Sequence, residues 1–160
     1  MRTLVLGYGN RDRQDDGVAW HLLVEIRKRL GFKEPFNIDE FFGAEDSLTF
    51  VFQLQLMPEL VEDIAPFDRI CFLDCHTGSV PEDIHYEIVT PIYQHSPLTH
   101  HLTPNSLLSI LQTVYDKTPE AILISIKGNE FGYSPELSSE TANLIPQAAQ
   151  IVIDWMTQKK

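Results

Sequence analysis

Positive charge is scarce in this sequence: 12 Lys and Arg stand against 23 Asp and Glu among 160 residues, a formal net charge of -11. A phosphate backbone would be repelled unless basic residues clustered, and none do, so a nucleic-acid partner is not expected. Cysteine is nearly missing as well. Cys71 and Cys75 lie four apart in an apolar strand pattern, on one face of one strand, where a disulfide between them is geometrically unreasonable. Both read as reduced core thiols in a reducing compartment rather than as metal ligands. Long apolar runs are absent too. The opening MRTLVLGYGN holds a short run that stops at Gly7 and leads into charge, fitting neither a signal peptide nor a membrane span. A cytoplasmic protein with no membrane partner is expected. There is no internal repeat, linker or low-complexity tract, and 43% hydrophobic residues suffice for one core, so residues 1–160 read as a single domain.

What is present alternates between strand and helix. Residues 3–6 form a short continuous apolar run ended by Gly7, as a strand buried on both faces requires, and they read as the central strand. From Val18, apolar residues recur at helical spacing through Leu22, Leu23, Ile26 and Leu30, with Asp15-Asp16-Gly17 at the start and Gly31 at the stop. Residues 33–46 carry acidic side chains and no sustained period, and read as a long, poorly ordered connection. A second strand is predicted over 48–55, with Leu48, Phe50, Phe52 and Leu54 on one face, and Pro58 opens a short helix. Residues 69–74, RICFLD, repeat the grammar of the first strand. A weaker strand over 84–89, a helix opened by Thr103-Pro104, a strand over 121–126 and a last helix from Ser138, bent near Pro146, complete the chain. This alternation implies an α/β fold with a mostly parallel sheet covered on both faces.

In such a sheet the functional loops lie beyond the carboxyl ends of the strands. Three polar groups stand there: Gly7-Tyr8-Gly9-Asn10 running on to Asp15-Asp16-Gly17, then Asp74, then Thr99-His100-His101. A dinucleotide reading of the glycine loop fails, because no third glycine follows Gly9 by three residues and Asp12, Asp15 and Asp16 would repel a pyrophosphate. No cofactor-binding residue is assigned. Acidic residues at a helix start also cap orphan N–H groups, but two adjacent aspartates cannot share the cap, so one is free to face elsewhere. Asp74 ends an apolar strand, where a carboxylate is partly desolvated unless a cation or several donors meet it. Of His100 and His101, only one can readily enter a given cleft, and the other is expected to face solvent with His21 and His85. The three loops can therefore place two carboxylates and an imidazole above one crevice, an oxygen- and nitrogen-rich metal site suited to Ni(II) or Zn(II).

These residues resemble a known family. Gly7-x-Gly9-Asn10-x-x-x-x-Asp15-Asp16-Gly17 resembles the amino-terminal signature of the hydrogenase-maturation endopeptidases. Residues 69–74 resemble that family's apolar strand ending in a metal-binding aspartate, and Thr99-His100-x-Leu102 followed by Leu107-Leu108 its histidine segment. Order and separation agree over essentially the whole chain. The resemblance implies a three-layer, phosphorylase/hydrolase-like sandwich with about five strands. It also implies Asp16, Asp74 and His100 as metal ligands and Asp16 and Asp74 as the catalytic carboxylates, which leaves Asp15 for the capping role that its place at the helix start suggests. Two stretches depart from the family pattern, 53–60 and 125–131, and no functional residue is carried onto either.

The activity implied is removal of the carboxyl-terminal extension from the precursor of a nickel-iron hydrogenase large subunit after nickel insertion. The nickel is presented by that substrate, and the precursor is the expected partner. The chain shows neither a nucleophile elbow nor an HExxH helix. Either the metal acts as a Lewis acid, or it only positions the substrate while Asp16 or Asp74 activates water. The rival reading is a non-catalytic nickel-sensing assembly chaperone, and a third is a small-molecule metallohydrolase.

Overall fold

Two apolar runs far apart in the sequence become neighbours at the middle of a sheet. The computed structural model describes residues 1–33, 47–93 and 102–158. Strand β1 (Thr3–Tyr8) lies between β2 (Leu48–Gln53) and β3 (Arg69–His76), β5 (Glu120–Lys127) follows β3, and β4 (Ile84–Ile88) closes the order β2-β1-β3-β5-β4. All pairings are parallel except that of β4 with β5.

Because side chains alternate across a strand, each strand feeds two cores. Val5, Cys71, Leu73, Ile122 and Ile124 pack on one side against Leu22, Leu23 and Ile26 of α1 (Val18–Arg29) and Ala148 and Val152 of α5 (Ile145–Thr157). Leu4, Leu6, Ile70 and Phe72 pack on the other against α2 (Leu60–Ile64) and α3 (Pro104–Tyr115). The expected three-layer α/β sandwich with five strands is therefore observed. Leu4, Val5 and Leu6 have no exposed surface, and burial of each is worth about 1.5–3 kcal/mol, which holds β1 at the centre. Cys71 and Cys75 both face the α1/α5 side, and burial pushes the Cys75 thiol up to about 12, so it stays protonated.

Three expectations change. The second strand ends at Gln53, whose partner Tyr8 is the last residue of β1; beyond it Leu54 has no neighbouring strand and is 65% exposed. The last helix is two helices. Ser138 caps a short one, α4 (Ser139–Ala142), by accepting from Thr141 N–H, and α5 restarts with Pro146 in its first turn. Proline has no N–H to give to residue 142, so the break falls before it and no bend follows. His21 and His85 are half-buried rather than solvent-facing, burial lowers the pKa of His21, and His85 sits between Glu82 and Glu87. The 33–46 connection lies outside the described residues except for Lys33.

Candidate active site

The glycines of the first motif are explained by closure of a loop. At the end of β1, Gly9 adopts φ +142°, and a Cβ there would collide with the backbone carbonyl oxygen of Asp16. A Cβ on Gly17 would stand 2.8 Å from the Cα of Arg11. The chain thus folds back on itself through a 3-10 turn, Gln14–Gly17, at a closeness that only glycine permits. Asp16 fastens this closure: its Oδ2 accepts the Asn10 N–H at 2.8 Å.

Asp15, by contrast, is fully buried and looks away from its own helix. It accepts hydrogen bonds from the N–H groups of Asn129, Glu130 and Ser138, each at 2.8 Å, and from the hydroxyls of Ser138 at 2.7 Å and Thr141 at 2.9 Å. Burial alone would raise its pKa, but the Ser138 hydroxyl and the three N–H donors together hold it below the ordinary carboxylate value. The expectation that Asp15 serves the helix start is therefore wrong. No side chain caps that start, and Asp15 instead ties the β1 loop to the segment after β5. Residues 125–131, to which no functional residue was assigned, supply two of its partners; their separation of more than 110 residues leaves no local signal.

Asp74 stands at the carboxyl end of β3, in register with Ser125 of β5. Its Oδ1 accepts the Cys75 N–H at 2.6 Å. Burial raises its pKa to about 6; the Cys75 N–H and the Tyr8 hydroxyl oppose the rise, and the charge of Asp16 adds to it. Tyr8 is pushed well above its usual value, first by burial and then by the negative charge of Asp74. Sequence reasoning passed over Tyr8, since it occupies a position the motif leaves open. Nearby, His76 Nε2 is 2.7 Å from the Glu82 carbonyl, which can only accept, so Nε2 carries the proton and Nδ1 accepts from the Ser125 hydroxyl at 2.8 Å.

Asp16 and Asp74 line one cleft of about 560 Å³, together with Tyr8, Leu54, Glu87 and Leu123. Leu102 and Thr103 form another part of its wall. His100 and His101 lie outside the described residues. Among the described residues no three His, Cys, Asp or Glu side chains group as a metal site. The two carboxylates fit a cation all the same: they interact electrostatically in a partly desolvated cleft, and each has one oxygen already held by a backbone N–H.

Fold and cleft together define a mostly parallel α/β sandwich with two carboxylates in one cleft on the carboxyl-end side of its central strands. Among solved structures this is the fold of the hydrogenase maturating endopeptidase HybD from E. coli, with a TM-score of 0.71 at 17% identity over 98% of this chain and 92% of that one. The [NiFe] hydrogenase maturation protease HycI from Thermococcus kodakarensis is similar at a TM-score of 0.66 and 19% identity, over 98% and 93% of the two chains. The hydrogenase 2 maturation peptidase from a Thaumarchaeota archaeon matches at 0.64 and 20%, over 99% and 100%. No family model and no curated protein matches the sequence. At these identities the likeness is one of fold, and the fold expected from the motif resemblance is the one found.

Proposed function

We propose that this chain is an endopeptidase that trims the carboxyl-terminal extension of a nickel-iron hydrogenase large-subunit precursor once nickel is in place. The observation that carries this reading is the meeting of Asp16 and Asp74, from the ends of two central strands, in one cleft of a fold otherwise seen in hydrogenase maturation proteases. Nickel belongs to the substrate. Asp16, Asp74 and His100 complete its coordination and so bring the scissile bond to the cleft, which makes loading of the metal the licence for cutting. The chemistry then needs a base for the attacking water, and whichever of Asp16 and Asp74 keeps an oxygen free of the metal is placed in the cleft to take that proton. Among the described residues no helix is long and apolar enough to cross a membrane, and we place the activity in the cytoplasm.

The test is to incubate nickel-loaded and nickel-free precursor with the protein and look for a shortened large subunit. Shortening of the loaded precursor alone is expected, with loss in Asp16→Asn, Asp74→Asn and His100→Ala. Binding of the loaded precursor without any shortening would overturn the proposal in favour of a nickel-sensing chaperone.

A further inference from the structure

The outer edge of β4 is built to receive another strand. In the sheet order β4 comes last, and among the described residues its only partner is β5. Two hydrogen bonds set its parity: Lys127 N–H donates to the Asp83 carbonyl at 2.9 Å, and Val89 N–H donates to the Ala121 carbonyl at 2.9 Å. In an antiparallel pair the residues that bond to the neighbour alternate with those that bond away from it. With Ile84 opposite Ile126 and Ile88 opposite Ile122, the residues turned toward β5 are Asp83, His85, Glu87 and Val89. The N–H and C=O groups of Ile84, Tyr86 and Ile88 therefore point outward.

Natural edge strands are commonly blunted by proline or lysine, and β4, reading IHYEI, has neither. Tyr86 is 48% and Ile88 70% exposed beside these outward groups. The edge also continues the cleft, whose floor passes from Asp74 on β3 across Leu123 on β5 to Glu87 on β4. Three strand spacings separate Asp74 on β3 from a strand added outside β4, roughly 14 Å, which an extended chain covers in about four residues. Edge and carboxylates are thus within reach of one peptide.

We propose that β4 binds an extended peptide by strand addition and, resting on the function proposed above, that this peptide is the extension of the precursor, held about four residues from the bond to be cut. Backbone pairing supplies the affinity, and Tyr86 and Ile88 offer contacts to alternate side chains of the guest. Glu82, Asp83 and Glu87 favour a guest carrying cationic side chains. A second copy of this chain is a poor occupant, because each copy carries a net charge of -11 and brings the same acidic residues to the junction.

Residue-resolved amide hydrogen exchange on the full chain tests this, using as probe a synthetic peptide that spans the cut and the extension of the precursor. In the free protein His85 and Glu87 should exchange slowly and Ile84, Tyr86 and Ile88 fast; the peptide should slow those three by roughly tenfold or more. Tyr86→Pro removes an outward N–H and no bond to β5, so it should raise KM about tenfold, leave kcat within about twofold and preserve the melting profile. The same peptide methylated on alternate backbone nitrogens should fail to bind the unaltered protein, which keeps the test sound if Tyr86→Pro misfolds. Three results would overturn the proposal: outward amides already slow in dilute free protein, slowing that follows protein concentration without peptide, or no response to peptide. Cleavage without any effect on these amides would sink strand addition and spare the protease reading. Slowed amides with no cleavage of loaded precursor would do the reverse.

Discussion

Asp15 and Asp16 are adjacent and chemically identical, yet their surroundings give them unrelated work. Asp15 meets five donors in a buried site, so Asp15→Asn would turn an amide NH₂ toward groups that can only donate or are already donating. A loss of about 2–4 kcal/mol is expected by chemical denaturation, against less than about 0.5 kcal/mol for Asp16→Asn. Since folding lowers the pKa of Asp15 from 3.8, its contribution is present above that value and disappears as pH falls through the folded-state pKa. Asp74 has the opposite sign. Its folded pKa of about 6 lies above 3.8, so the folded protein holds the extra proton and stability declines as pH rises between these values, remaining lower beyond. The difference is of the order of 3 kcal/mol at most. Metal-free Asp74→Asn should accordingly melt higher than the parent above about pH 6 and lose that advantage below pH 3.8. Equal melting temperatures across the range would show that the carboxylate is better solvated than its burial indicates.

At the scale of elements, α5 is fastened to the sheet by a residue that reads in the sequence as the start of an apolar run. Arg69, 2% exposed, donates to the carbonyls of Trp155 at 2.7 Å and Met156 at 3.2 Å, and its guanidinium lies 4.0 Å from the centre of the Trp155 ring. Its Nε is 3.3 Å from a carboxylate oxygen of Glu120. The last turn of a helix leaves carbonyls without partners and a partial negative charge, and a buried guanidinium answers both. Arg69→Met should cost about 3 kcal/mol, since it removes the donor to both helix carbonyls together with the contact to Glu120. Hydrogen exchange should show the carboxyl-terminal turn of α5 opening ahead of the rest of the helix. Uniform exchange along α5 in that variant would mean that the helix end is held by packing alone.

Across the whole molecule, the legible parts were those whose cause is local. The runs at 3–6 and 69–74 are apolar on both faces, which places them in the sheet interior, and α1 announces itself by period and α3 by period and cap. With β1 and β3 as neighbours, the loop that follows β1 and the end of β3 share one side of the sheet, and Asp16 and Asp74 line one cleft there, as the placing of both beyond strand ends predicts. What stayed hidden depends on contacts between distant segments. Nothing near Asp15 tells of Ser138 or Thr141, nothing at position 8 tells that Tyr8 will lie against Asp74, and β4 does not disclose that it runs antiparallel. The central place of β1 also bears on how the protein is made. Residues 3–8 leave the ribosome before either neighbour exists, and both neighbours pair with them in parallel, a geometry that needs a long crossover. The nascent chain therefore carries the most buried strand of the finished protein without any partner until Leu48–Gln53 has been synthesised and with one edge still open until Arg69–His76 follows, and during that interval it is the natural client of a holding chaperone.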